Sequence, residues 1–187
     1  MDIKNDIGWI NLTGIELHLE YMDKQQGKIL EGGSAAGKLF YHLHQIKPKW
    51  EYYAVNTWTD DEVYLQKDWS ANYFDKDNFR QRVTVDLFIK HCPFAKYYDM
   101  KFENFVSNEK FDIISIGQIG LNVDWVKTFE KAYAYLNVGG IIVGRNYNHY
   151  RYGNKIRQAT AQFDVVEIDN QNDMYPNQNF IIKKNDV

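Results

Sequence analysis

Hydrophobic spacing along the chain switches repeatedly between a helical period and the period of an extended strand. Apolar residues that recur every three to four positions predict helices at 14–26, 35–46, 78–92, 125–136 and 155–162, with a short helix at 102–108. Compact apolar runs predict seven strands: "KILE", "EYYAVNT", "AKYYDMK", "FDIISIG", "IIVGRNY", "FDVVEID" and "QNFIIKK".

The order of these elements predicts the fold class. Strands that alternate with helices indicate an α/β protein with a mostly parallel sheet and helices on both faces. The run "FDIISIG" is apolar at nearly every position, which is typical of a strand covered on both sides. The last two strands are joined by a loop that contains Pro176, and they predict an antiparallel hairpin that closes the sheet.

The length is that of one domain, which we predict to span residues 1–187. A chain of this size buries roughly 70% of its unfolded surface when it folds. Residues 1–27 are predicted to form an N-terminal helical extension. Residues 57–76 lack a clean period, which favours a long functional or covering loop.

Composition and charge exclude several classes of protein. The net charge of −3 argues against a general nucleic-acid-binding protein. Cys92 is the only cysteine, so an intramolecular disulfide is excluded and a thiolate metal cluster is disfavoured. No secretory signal and no apolar run of membrane-spanning length is evident, so we expect a cytoplasmic protein without a membrane partner. The oligomeric state stays open.

The stretch "LEGGSAAGKLF" resembles a phosphate-binding loop at first sight. Gly32 and the pair Gly37-Lys38 stand at the spacing of G-x-x-x-x-G-K-[ST]. That loop needs a hydroxyl after the lysine to help hold Mg²⁺, and Leu39 has none. It also needs an acid at the end of a second buried strand, where this chain has Gly117. We therefore reject the phosphate-binding interpretation.

A second interpretation places an acid at the end of the first strand, followed by a glycine turn. Glu31 ends "KILE", and Gly33 and Gly37 lie in the turn that leads into a helix. Small residues let the backbone approach a ligand, and ligands bind at the carboxyl ends of strands in open α/β sheets. A tight turn without any ligand remains the alternative.

The order of motifs resembles the class I S-adenosylmethionine (SAM)-dependent methyltransferases, and within them a small-molecule and sugar O-methyltransferase-like branch. Three segments carry the likeness, which runs from about residue 28 to 184: "LEGGSAAGK", "YYAVNTWTDD" and "FDIISIGQIGLNVDWVKTFEKAYAYLNVGGIIVGRNYN". The resemblance implies a Rossmann-like, seven-stranded sandwich that binds SAM. The binding positions that it implies are Glu31, Gly33, Ala35, Gly37, Asn56, Trp58 and Gly117.

Several acids of the family are replaced in this chain. The ribose-binding acid after the second strand is Asn56, and the Ile-Asp-Gly acid is Gly117. Gly120 stands where the family often has histidine, and Arg145-Asn146 replace the acid pair after the fifth strand. In metal-dependent members those acids hold a divalent cation, and one neutral Asn146 cannot replace two carboxylates. We therefore predict no metal.

The remaining chemistry allows two main functions. The first is metal-independent methyl transfer to a small hydroxylated acceptor such as a sugar, with His149 in "NYNHYRY" as the candidate base. An ordinary exposed loop histidine is the alternative for His149, and nearby tyrosines either line an acceptor pocket or pack the rim. The second function is that of a catalytically degenerate fold, which serves as a binding, assembly or structural subunit for a protein partner. A SAM-consuming enzyme of another type is a third possibility.

Overall fold

A computed structural model describes residues 12–34, 36–57, 85–117, 123–145, 147–148, 153–168 and 179–185. Within them the helices are α1 (Leu12–Glu20), α2 (Lys38–Ile46), α3 (Val85–His91), α4 (Trp125–Tyr135) and α5 (Gly153–Thr160), with a 3₁₀ turn at Phe102–Asn104. The strands are β1 (Lys28–Gly32), β2 (Glu51–Asn56), β3 (Lys96–Asp99), β4 (Phe111–Ile116), β5 (Leu136–Gly144), β6 (Val165–Ile168) and β7 (Asn179–Lys183).

The described strands form one seven-stranded sheet in the order β3-β2-β1-β4-β5-β7-β6. The pairings from β3 across to β5 are parallel, and β7 runs antiparallel to both β5 and β6. The α/β fold with a mostly parallel sheet and an antiparallel C-terminal hairpin is thereby confirmed. None of the described helices is both long and apolar enough to cross a bilayer.

Helices cover both faces of the sheet, because successive strand side chains point to opposite sides. Ile29, Tyr52 and Ile113 pack with α1, α2 and α3, and we call this side the α1–α3 face. Leu30 and Ile114 pack with the 3₁₀ turn, α4 and α5, which cover the α4–α5 face. Each face buries a continuous apolar core, as the apolar run of β4 predicts.

The boundary between α4 and β5 differs from the sequence prediction. The segment "NVGG" lies between the predicted helix at 125–136 and the predicted strand "IIVGRNY". It already belongs to β5, whose register against β4 shifts between Phe111 and Ile113. Gly139 takes a φ of 75° in this irregular stretch, and its N–H donates to the Lys184 carbonyl at 2.8 Å. The strand thus starts at Leu136, because its first residues are held by the sheet and not by the helix.

Asp112 fixes the amino ends of the strands around this irregular stretch. Its carboxylate accepts hydrogen bonds from the Lys24 ammonium at 2.7 Å, the Lys28 N–H at 2.9 Å and the Asn137 amide at 3.2 Å. These contacts tie the segment between α1 and β1, and the starts of β1 and β5, to β4. Asp124 plays a local role by accepting from the Lys127 N–H at 3.1 Å, which caps α4.

Two predicted helices extend further along the chain than the observed elements. The predicted helix at 14–26 is realised as α1, which ends at Glu20, and the short helix at 102–108 is a single 3₁₀ turn. Of the helix predicted at 78–92, the described part is α3. The covering loop predicted at 57–76 lies, after Thr57, outside the described residues.

Candidate functional site

The crevice between β1 and β4 is the point where the strand order reverses. From β1 the chain adds β2 and β3 on one side, and it then returns to add β4 and β5 on the other. In open parallel sheets ligands bind outside the carboxyl ends of the strands at such a point. Residues 33–37, which we call the glycine turn, leave the carboxyl end of β1 here and lead into α2. The topology therefore brings the predicted motif to the expected ligand-binding edge.

The described glycines of this turn adopt left-handed backbone conformations. Gly33 has a φ of 86° and Gly37 a φ of 81°, values that favour glycine because no Cβ interferes. The Gly33 N–H donates to the Val55 carbonyl at 2.9 Å, and the Gly37 N–H donates to the Ser34 carbonyl at 2.8 Å. A Cβ on Gly37 would lie 2.6 Å from the Cys92 Sγ. Both backbone conformation and packing thus require glycine at position 37.

The phosphate-loop interpretation finds no support in the structure. Leu39 stands where a phosphate-binding loop needs a hydroxyl, and its side chain is buried in the core of the α1–α3 face. Lys38 is the first residue of α2 and is half-buried. The polar chemistry of this edge therefore depends on Glu31 and on the backbone of the turn.

Glu31 is a buried carboxylate at the carboxyl end of β1. Only 6% of its surface is exposed, and its Oε2 accepts no hydrogen bond from the described residues. Burial raises the pKa of Glu31 to about 7, against the opposing effects of the Arg145 charge and of hydrogen bonding with Ser34. A buried acceptor without a partner is rare in folded proteins, and it fits a ligand that brings an N–H or ammonium group.

The neighbouring strands add two polar residues to the same edge. Asn56 ends β2 with 9% of its surface exposed, and its carbonyl accepts from the Met100 N–H at 3.0 Å. In the sheet Asn56 lies opposite Asp99, the last residue of β3, whose side chain is exposed. Asp99 therefore supplies a carboxylate beside Asn56 at this edge of the sheet.

Gly117 closes the crevice from the β4 side. Its N–H donates to the Gly32 carbonyl at 2.8 Å. A Cβ at this position would lie 3.2 Å from the carbonyl oxygens of both Gly32 and Gly33. Such contacts are tighter than most real ones, and a carboxylate there would also face two carbonyl oxygens. The close approach of β4 to the glycine turn therefore leaves little room for a side chain at position 117.

Arg145 brings positive charge to the same edge. It directly follows Gly144, the last residue of β5, and its side chain is half-buried. The guanidinium acts electrostatically on the Glu31 carboxyl and favours the ionised form of that carboxyl. The end of β5 therefore adds positive charge to the edge that carries Glu31.

Three of the predicted site residues cannot be located. Ala35, Trp58 and the candidate base His149 lie outside the described residues, so their roles remain predictions. Among the described residues no group of three histidine, cysteine, aspartate or glutamate side chains is arranged to hold a metal ion. Of the sequence-predicted set, the structure brings together Glu31, Gly33, Gly37, Asn56 and Gly117.

Sequence reasoning missed Asp99, Phe102 and Cys92. A Cβ on Gly32 would lie 2.7 Å from the Phe102 ring, so this aromatic side chain packs directly against the end of β1. Asp99 could have been found, because it lies in the second half of the predicted strand "AKYYDMK", which follows the strand that carries Asn56. The contact of Cys92 with the glycine turn joins residues 55 positions apart in sequence, and no local pattern reveals it.

Comparison with known proteins identifies relatives by structure alone. No protein-family model matches the chain, and no curated protein sequence matches it. A methyltransferase from Pyrococcus furiosus aligns with a TM-score of 0.59 over 97% of this chain and 89% of its own, at 15% identity. An rRNA methylase from Streptococcus thermophilus aligns with a TM-score of 0.59 over 96% of this chain and 100% of its own, at 14% identity.

A third solved structure contains a nucleoside product. The N-methyltransferase NodS from Bradyrhizobium japonicum WM9, in complex with S-adenosyl-L-homocysteine (SAH), aligns with a TM-score of 0.57 at 12% identity. The alignment covers 94% of this chain and 89% of NodS. At such low identities the likeness establishes the fold: the chain has the Rossmann-like fold of these methyltransferases.

Proposed function

We propose that this protein binds SAM at the β1–β4 crevice and transfers its methyl group to a small hydroxylated acceptor, such as a sugar, without a metal ion. The observation that supports SAM binding most directly is Glu31, a buried carboxylate with an unpartnered oxygen beside a left-handed glycine turn. A ligand ammonium placed there would satisfy that oxygen. The methyltransferase fold of the solved neighbours supports the same ligand class.

The other described residues of the edge complete the proposed cofactor site. Gly33 has no side chain and leaves room for the ligand to approach the backbone of the turn, whereas Gly37 lets the turn pack closely against Cys92. Asn56 and Asp99 end adjacent strands, and they would hydrogen-bond the hydroxyl and amino groups of a nucleoside. Ala35, which lies between Gly33 and Gly37 in the sequence, and Trp58, which follows Asn56 by two residues, are proposed to complete the site.

The proposed reaction needs alignment more than activation. When bound, SAM would supply a methyl group on its sulfonium. The acceptor oxygen would attack the methyl carbon in line with the breaking C–S bond, and SAH would be the leaving group. The chain would hold the acceptor on the far side of the methyl and exclude water. We propose that His149, which follows the fifth strand in the sequence, accepts the hydroxyl proton.

The metal-free character of the proposal is based on charge. Arg145 carries its positive charge where the family's acid pair would be, and Gly117 leaves no room for another acid without movement of the glycine turn. The same two observations favour a second candidate function, a catalytically degenerate fold that binds a protein partner. We further propose a cytoplasmic setting, because the single cysteine is buried and the chain contains no second cysteine with which to form a disulfide.

Calorimetric titration with SAH and SAM tests the binding proposal. We expect binding that is the same in Mg²⁺ and in EDTA, and that weakens about tenfold or more in Glu31→Gln, because hydrogen bonds to charged groups contribute about 1.5–3 kcal/mol. Glu51→Gln is the matched control, since Glu51 is exposed at the amino end of β2. An absence of heat at millimolar SAH would overturn the cofactor site.

Turnover is tested separately from binding. Once an acceptor is found, His149→Gln should abolish methyl transfer and leave SAH affinity unchanged. If SAH binds but no acceptor in a panel of sugars and other hydroxylated metabolites is methylated, the degenerate-fold candidate is favoured over the enzyme.

A further inference from the structure

Cys92 lies directly beneath the glycine turn, although it comes from a distant part of the chain. It follows the last residue of α3, and only 1% of its surface is exposed. Its backbone is held on both sides, because its N–H donates to the Phe88 carbonyl at 2.8 Å and its carbonyl accepts from the Ala95 N–H at 3.0 Å. The thiol therefore has a fixed position.

The thiol contacts the turn at Gly37, the residue that immediately precedes α2. Its Sγ donates a hydrogen bond to the Gly37 carbonyl at 3.2 Å, and the same carbonyl accepts from the Tyr41 N–H at 2.9 Å. A Cβ on Gly37 would lie 2.6 Å from Sγ and 2.9 Å from the Phe88 ring. The sulfur and the ring thus occupy the space of the missing side chain, and they fix the distance between α3 and the turn.

The surroundings make this thiol a hydrogen-bond donor and not a nucleophile. Burial and the charge of Glu31 raise the pKa of Cys92 to about 12, against a hydrogen bond from the Tyr41 backbone, so its proton is retained at neutral pH. Glu31 is itself more than nine-tenths buried, and its Oε2 has no partner among the described residues, which points to a ligand at this turn. The thiol therefore contacts the same turn that follows the buried Glu31 carboxylate.

We propose that Cys92 is a positioning residue for the cofactor. Its thiol donates to the Gly37 carbonyl and so keeps the glycine turn in the position in which the turn and Glu31 bind SAM. This inference rests on the proposed function. It assigns the cysteine no chemical step, and it makes the packing of α3 against the turn a determinant of cofactor affinity.

The test compares two replacements of the thiol with a matched core variant. Cys92→Ser keeps a donor, Cys92→Ala removes it, and Ile181→Val shortens a buried side chain of the same core on β7, away from the turn. Two quantities are measured for each: the Kd for SAH, and the hydrogen-exchange rate of the Gly37 amide. The Gly139 amide, which donates to Lys184, is the internal reference.

We expect Cys92→Ala to weaken SAH binding about threefold to tenfold, since a neutral hydrogen bond contributes about 0.5–1.5 kcal/mol, and to speed exchange at Gly37 but not at Gly139. Cys92→Ser should remain within about twofold of wild type in Kd, and Ile181→Val should lower stability without changing either readout at the turn. Wild-type affinity and exchange in Cys92→Ala, or equal losses in the serine and alanine variants, would overturn the inference.

The two proposals fail in different ways. If wild-type protein does not bind SAH, the proposed function is wrong and so is the cofactor part of this inference. The exchange rates then still decide whether the thiol holds the turn.

Discussion

Replacing Glu31 with glutamine is expected to stabilise the protein in alkali and to have little effect in mild acid. The carboxyl is buried, and one of its oxygens has no hydrogen-bond partner among the described residues. Burial therefore raises the pKa of Glu31 from its ordinary value of 4.5 to about 7, with Arg145 and Ser34 opposing the rise. Glutamine has nearly the same shape and never ionises.

The direction of the effect follows from which state keeps the proton. Below pH 4.5 the carboxyl is protonated in both the folded and the unfolded chain, so burial of the charge does not arise. Between pH 4.5 and 7 the unfolded chain releases the proton and the folded chain keeps it, so the free energy of unfolding falls by about 1.4 kcal/mol per pH unit. Above pH 7 the loss has reached its full size of roughly 3.4 kcal/mol.

Urea unfolding at pH 5.0 and pH 8.5 measures this effect. The difference in unfolding free energy between Glu31→Gln and wild type should grow by about 2.5 kcal/mol from the lower to the higher pH in favour of the variant. Any pH-independent effect of the amide cancels in that comparison. Glu51→Gln is the control, because that carboxylate is exposed and hydrogen bonds from Tyr53 and Lys96 lower its pKa. A difference that stays constant between the two pH values would refute the argument.

Two further predictions concern stability. Gly37→Ala should lower the unfolding free energy by about 2–4 kcal/mol and Gly139→Ala by about 1 kcal/mol in chemical denaturation, because both have positive φ but only the new Cβ at 37 meets Cys92; equal losses would contradict this reading. Asp112→Asn should lower the unfolding free energy by about 1–3 kcal/mol at pH 7. This loss should become smaller below pH 3.8, because the hydrogen bonds that the carboxylate accepts outweigh the effect of burial and lower its pKa. A loss of the same size at pH 3 would show that the charge is not the cause.

The fold was predictable because its signals are local. Strand-length apolar runs and amphipathic helices alternate from β1 to α5, and such alternation leads to few architectures. Boundaries were less predictable where distant contacts decide them. The start of β5 at Leu136 depends on Asn137 contacting Asp112, and on Gly139 pairing with Lys184. Neither contact leaves a periodic trace in the sequence.

The same distinction applies to the candidate site. Glu31, Gly33 and Gly37 belong to one short motif, and the strand–turn–helix context predicted from it is what the structure contains. The motif does not reveal that one carboxylate oxygen of Glu31 has no hydrogen-bond donor among the described residues, since this depends on how several elements bury the side chain. Nor does it reveal the role of Cys92, which reaches the turn from α3.

Glu31 bears on ligand binding and not on the choice between an enzyme and a degenerate scaffold. A buried carboxylate that lacks a partner destabilises the folded protein by roughly 3.4 kcal/mol above pH 7, a large part of a typical folding free energy. A purely structural role would be served at lower cost by glutamine or by an apolar residue, because Arg145 and Ser34 do not offset the burial of the charge. A ligand with an ammonium group would recover that free energy on binding. The buried Glu31 carboxylate therefore favours ligand binding under either candidate function. Gly117 and Arg145 bear on what happens to the ligand afterwards. SAH should accordingly bind more tightly at pH 8.5 than at pH 6, where the carboxyl is mostly protonated before binding, and in Glu31→Gln this pH dependence should disappear.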